Sequence, residues 1–131
     1  NYIKENNLEE SVYMLGNRSN VINLLSYIDL VLLCSYIEGL PLVPLEAFSK
    51  GVPVIATNIL GTNEEVIDNF NGFLVETKDI NIFEERIFEI YKNKELYNKM
   101  KENCIRIFEE KFNSDIYIEK HIKFYNKIVK F

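Results

Sequence analysis

Residues 30–67, LVLLCSYIEGLPLVPLEAFSKGVPVIATNILGTNEEVI, decide how this chain folds. Two apolar runs of strand length, 30–34 and 52–56, are separated by a glycine-bearing loop (35–41), a helix-forming run (42–50) and a tight turn at Gly51. Neither run alternates apolar with polar residues. Continuous apolar runs belong where both sheet faces are covered, as in parallel sheets. Pro53 falls near the start of its run, where a missing N–H is tolerated. The order strand, loop, helix, strand predicts an α/β fold: a parallel sheet with helices on both faces.

The same stretch holds two glutamates, Glu38 and Glu46, with seven residues between them. Glu38 lies just beyond the carboxyl end of the first strand, where open α/β sheets bind ligands. Glu46 sits among Val43, Pro44, Leu45, Ala47 and Phe48 on a helix that is otherwise nearly apolar. A carboxylate there is costly unless it faces a polar cleft or has a partner. A loop feeding a helix N-terminus also presents free N–H groups and a positive dipole end to an anion. An acidic pair flanking such a trap suits a ligand with both phosphate and hydroxyls, and a nucleotide-sugar fits. Over a fully helical window, eight steps would separate the two Cα atoms by ~12 Å. Glycosidases need carboxyl pairs about 5 to 9.5 Å apart. The spacing therefore favours clamping an elongated ligand over hydrolysing a single bond.

Outward from this stretch, residues 11–15 (SVYML) read as a strand closed by the turn Gly16-Asn17. Asn20 is placed to cap a helix over 21–27, with Val21, Leu24, Leu25 and Ile28 on one face. A short helix is expected over 63–66, and Asn71-Gly72 turns the chain into a strand at 73–75. Beyond it come three amphipathic patterns without intervening strands, 80–92, 95–111 and 114–129, the last with Ser114 as N-cap. Glu64 and Glu65 read as carboxylates at a helix N-terminus, His121 as a residue without a site role, and the eight tyrosines as packing. The opening Asn1-Tyr2-Ile3-Lys4 has no initiator Met and resembles the end of a helix, so the chain reads as a piece of something longer.

Composition narrows the function. At 131 residues the chain makes one domain with a single core, and a formal charge of −5 without a Lys/Arg stripe argues against nucleic acid. No apolar run approaches the roughly 20 residues that span a bilayer, so a cytoplasmic location is expected. Cys34, Cys104 and the single histidine have no metal-ligand spacing. Cys34 is expected as a buried, reduced thiol at the end of its strand.

The residues of the central stretch carry a resemblance. Ser35, Glu38-Gly39, Pro41, Glu46-Ala47, Gly51 and Pro53-Val54-Ile55-Ala56-Thr57 match S-x-x-E-G-x-P-x4-E-A-x3-G-x-P-V-I/V-A-T. This resembles the donor-binding half of the retaining group 1 (family 4) glycosyltransferases of GT-B architecture, two Rossmann-like domains facing a cleft. Gly16, Asp29 and Asn71-Gly72-Phe73-Leu74-Val75 agree with the family's flanking motifs, and the resemblance covers roughly residues 8–131. One departure is Leu60-Gly61, where many members have Gly-Gly.

The resemblance implies roles. Glu38 would be the catalytic-site carboxylate that accepts from donor-sugar hydroxyls. Glu46 would clamp the ribose, since a carboxylate can accept from two vicinal hydroxyls. The backbone N–H groups of Gly39, Leu40, Leu42 and Val43 would meet the diphosphate or sugar. Asn17 and Arg18 fall where the family's backbone meets the base, and Arg18 is either a stacking residue or an exposed structural arginine. No metal and no cofactor beyond the nucleotide-sugar substrate is implied.

The resemblance also implies what lies elsewhere: an acceptor-binding N-terminal domain, and an Arg/Lys pair that neutralises the diphosphate. Helix-end amides alone are worth ~1–2 kcal/mol to an anion, so weak donor binding and no transfer activity are expected of this chain by itself. Residues 1–113 would be a partial nucleotide-sugar-binding domain, and 114–131 a helix packing toward the absent domain. Ile116, Tyr117, Ile118, Ile122, Phe124, Tyr125, Ile128, Val129 and Phe131 are too many apolar groups for one core-facing stripe, so that face should be exposed or covered by self-association. The parent would transfer sugar to a glycan or lipid acceptor in polysaccharide or glycolipid synthesis, in the cytoplasm or peripherally at the inner membrane surface. A non-catalytic nucleotide-binding module and a nucleotide-sugar epimerase of the same architecture remain open.

Overall fold

Three parallel strands form the sheet in the order β1 (Val31–Leu33), β2 (Val54–Thr57) and β3 (Gly72–Val75). The computed structural model describes residues 2–129; Asn1 of the opening helix-like segment and Phe131 of the apolar tail lie outside them. Val31, Leu32 and Leu33 stand opposite Val54, Ile55 and Ala56, which in turn stand opposite Gly72, Phe73 and Leu74. β2 is central and wholly buried, as a continuous apolar run requires when both faces are covered.

Alternation along the strands divides the core. Val54 and Ala56 face a cluster with Leu25, Ala47, Phe48, Val66, Cys104 and Ile107. Ile55, Phe73 and Val75 face the other side, with Ile90 and Met100. The first face is covered by α2 (Val21–Leu25), α3 (Leu42–Phe48) and the end of α6 (Lys94–Ile107), the second by α5 (Ile80–Lys92) and the start of α6. Short helices α1 (Tyr2–Glu5) and α4 (Thr62–Glu65), a π-helical turn (Phe108–Phe112) and α7 (Ser114–Ile128) complete the described chain. The expected α/β class with helices on both faces is what the chain adopts.

Side-chain caps start the long helices. The Asp79 carboxylate accepts from the Ile82 N–H, and the Asn93 amide oxygen from the Leu96 N–H. At α7 the cap is Asn113, whose side chain accepts from the Asp115 N–H, and not the expected Ser114. Asn113 stands one residue earlier with extended backbone (φ −59°, ψ 140°), the geometry a capping residue needs.

Four other expectations fail. Residues 11–15 form no strand and are exposed throughout, because a strand needs a neighbour for its N–H and C=O groups and none of the described strands pairs with this segment. Cys34 is exposed; it follows the last ladder residue of β1, an edge strand with a neighbour on one side only. Asn20 stands at the start of α2 but makes no side-chain cap bond, and that helix ends at Leu25 with Leu25 its buried residue. Seven of the eight tyrosines are exposed, and Tyr97 alone is half-buried, its hydroxyl donating to Asp29 Oδ1 at 3.2 Å.

Candidate functional site

The carboxyl ends of β1 and β2 build a linked set of polar groups. The Thr57 hydroxyl, at the end of β2, donates to the Ser35 carbonyl at 2.5 Å. The Ser35 hydroxyl donates to Glu38 Oε1 at 2.6 Å. A hydroxyl held by a backbone contact to the central strand thus fixes the half-buried Glu38 carboxylate, and its second oxygen is left for a ligand. Glu46 is half-buried on α3, and among the described residues its side chain has no hydrogen-bond partner.

Pro41, buried and extended at φ −71°, ψ 135°, delivers the loop into α3. It stands at the N-cap of that helix. Gly39, Leu40, Leu42 and Val43 are all exposed. Their N–H groups make no turn or cap bond among the described residues, and the first N–H groups of any helix lack an intrahelical partner. Asn17 and Arg18 are exposed beyond Gly16, and no hydrogen bond or ion pair ties either to the Glu38 loop or to α3. Glu38, Gly39 and Leu40 therefore stand on the loop beyond β1, and Leu42, Val43 and Glu46 on the helix it enters, while Asn17 and Arg18 are left unanchored.

The turn after β2 packs directly on the Glu38–Gly39 loop. Gly61 has φ +96°, and a Cβ there would stand 2.1 Å from the Gly39 carbonyl oxygen. Only glycine fits. Leu60, at the position of the departure from the Gly-Gly pattern, points to solvent. The Thr62 hydroxyl donates to the Thr57 carbonyl and fastens α4 to the same strand end.

α4 also overturns one reading of the sequence. Glu64 is exposed at the helix start as expected, but Glu65 is fully buried, and neither of its carboxyl oxygens has a partner. Burial, reinforced by the charges of Glu64 and Glu38, raises its carboxyl from 4.5 to about 7. Asn71 explains how it is held: its amide donates to the Glu65 carbonyl at 3.0 Å and its oxygen accepts from the Ile67 N–H at 2.7 Å. Sequence reasoning also gave no role to Ser35 and Thr57, though both stood in the matched motif. For Glu65 the available signal was the adjoining apolar pair Val66-Ile67, too weak to separate it from Glu64.

Two concavities are formed by the described residues, at opposite ends of the strands. One of about 170 Å³ is lined by Leu32, Cys34, Tyr36, Thr57, Lys78 and Asp79 among others. The other, about 430 Å³, lies at the opposite strand end against Asp29, Leu30, Ile87 and Tyr97. Glu38 and Glu46 line neither of them.

A parallel sheet with helices on both faces, and an exposed loop carrying Glu38 beyond the carboxyl end of its first strand, defines a Rossmann-like layer. The chain belongs to the family described as glycosyl transferases group 1, which it matches over residues 1–106. It is 37% identical over 127 residues to an Escherichia coli UDP-Gal:alpha-D-GlcNAc-diphosphoundecaprenol alpha-1,3-galactosyltransferase, covering 91% of this chain and 33% of that enzyme. It is 31% identical over 128 residues to N-acetyl-alpha-D-glucosaminyl L-malate synthase of Bacillus anthracis, covering 98% and 34%. Among solved structures, HepE of Anabaena in complex with UDP superposes with a TM-score of 0.88 at 26% identity, over 97% of this chain and 35% of that one. The chain thus spans about a third of the length of these relatives.

Proposed function

We propose that this chain is the donor-binding part of a retaining glycosyltransferase that transfers sugar from a nucleotide-sugar to a glycan or lipid acceptor. The observation that carries the reading is the Ser35–Glu38 bond, which fixes a carboxylate on the loop leading into α3, the helix that bears Glu46. Glu38 accepts from the donor sugar's hydroxyls and is the catalytic-site carboxylate. Glu46 accepts from the ribose hydroxyls. The N–H groups of Gly39, Leu40, Leu42 and Val43 meet the diphosphate or sugar, and the turn at Asn17 and Arg18 is the base-proximal segment. The E. coli relative uses a UDP-sugar and a lipid-linked acceptor, and HepE binds UDP and UDP-glucose, which supports a uridine nucleotide as the donor type to test first.

Residues 1–113 form the donor-binding unit and 114–131 reach toward the acceptor-binding part of the parent. α7 buries no residue of its own, and Tyr117, Ile118, Ile122, Phe124, Tyr125 and Ile128 are exposed, as a docking helix requires. No helix among the described residues is long and apolar enough to cross a membrane, and the parent acts in the cytoplasm or at the inner membrane surface. In the parent enzyme, Glu38→Gln removes one acceptor and should lower kcat by ~10²-fold or more, as losing one transition-state hydrogen bond does. Glu46→Ala should mainly raise the donor KM. Unchanged kinetics in Glu38→Gln would refute the assignment.

A further inference from the structure

Glu65 is the one fully buried charged side chain among the described residues, and both of its carboxyl oxygens lack a hydrogen-bond partner. Its backbone is pinned by Asn71, yet the carboxyl itself fastens nothing. A space-filling position would gain from an apolar or amide side chain, because an unsatisfied carboxyl is costly. What surrounds it gives the group a use. Gly61 at the start of the same helix abuts the Gly39 carbonyl, and the Glu38 carbonyl stands 3.5 Å from where a Gly61 Cβ would be. α4 is therefore in backbone contact with the Glu38–Gly39 loop, and Glu65 lies one turn along from that contact. The charged groups acting on it are Glu64 on its own helix and Glu38 on the facing loop, both acidic.

We propose that Glu65 is a positioning residue that couples its own protonation to the Glu38–Gly39 loop, so that the loop accepts a nucleotide-sugar best when Glu65 is neutral. With its proton on, Glu65 is a neutral carboxyl, and Glu38 and the exposed Glu64 carry the charge there. With the proton lost, a second negative charge repels both Glu38 and an incoming diphosphate. The raised carboxyl sets the range near pH 7. The consequence for the donor rests on the function proposed above; the coupling itself does not.

The test has two arms. Without ligand, the amides of Gly39 and Gly61 are followed from pH 5.5 to 8.5 alongside the Glu65 carboxyl carbon. The three should share one midpoint near pH 7, and the amide response should vanish in Glu65→Gln. A Gly39 amide that stays silent, or titrates unchanged in Glu65→Gln, overturns the proposal. If the variant does not fold, the wild-type midpoints decide alone, since separate values for Glu65 and Gly39 overturn it too. In the second arm, the full-length protein's affinity for UDP-glucose, whose diphosphate does not titrate in this range, should fall on the order of ten-fold from pH 5.5 to 8.5. Equal affinity at both pH values in wild type rejects the coupling to donor. A Glu46→Ala variant that binds like wild type would instead reject the donor-site reading and leave the ligand-free coupling intact.

Discussion

A buried carboxyl raised from 4.5 to about 7 makes stability depend on pH through one residue. The folded state holds the Glu65 proton more tightly than the unfolded chain does. Its stability contribution is therefore full below about pH 4.5, declines as the unfolded chain ionises, and is lost above about pH 7. The total change is roughly 3 kcal/mol, at about 1.4 kcal/mol per unit. Urea unfolding at pH 5 and pH 8 should show that loss in wild type and little of it in Glu65→Gln. The two cysteines differ as sharply. Burial pushes the Cys104 thiol up to about 12, whereas Cys34 is exposed. Iodoacetamide on the folded protein should give one adduct, at Cys34, with Cys104 reacting only in denaturant; prompt labelling of Cys104 would contradict the packing of α6. Gly61→Ala places a Cβ against the Gly39 carbonyl at a positive φ. It should cost about 1–3 kcal/mol and move the Gly39 amide resonance.

The elements differ in how far they depend on their own residues. α5 and α6 were legible because each segment carries its own apolar face at helical spacing; the caps that start them, Asp79 and Asn93, stand just before. β2 was legible because its run is apolar on both faces, and it is the strand with a neighbour on each side. Residues 11–15 have the same local composition as a strand and do not form one, since pairing is a property of two segments and no single run encodes its neighbour. Cys34 failed for the same reason: its burial depended on what flanks β1. Of the candidate site, the motif singled out the glutamates and the loop, whose roles rest on the resemblance. Glu65 was not legible, because burial of a carboxyl is decided by the turn at Gly61 and the brace at Asn71. Asn71→Ala should test that brace. It removes two bonds to backbone groups, the one to Glu65 buried and the one from Ile67 partly buried, so stability should fall by about 1–3 kcal/mol by chemical denaturation, and the Glu65 midpoint should move toward 4.5 as α4 loosens.

For the whole molecule the unfinished surfaces carry the meaning. β1 has one free edge with Leu32 46% exposed, and α7 presents an apolar face with no buried residue. Both suit a chain that spans about a third of its relatives' length. If α7 serves docking rather than the core, ending the chain at Asn113 should leave the unfolding free energy within about 1 kcal/mol of the starting value and reduce self-association in sedimentation. A loss of several kcal/mol would place α7 in the folding unit. The central claim, that Glu38 and Glu46 clamp a nucleotide-sugar, is met most directly by titrating the protein with UDP-glucose while following its backbone amides. The account predicts saturable shifts concentrated at Gly39, Leu40, Leu42, Val43 and Glu46, and their loss in Glu46→Ala. Shifts centred on another part of the sheet, or an undiminished response in that variant, would contradict it.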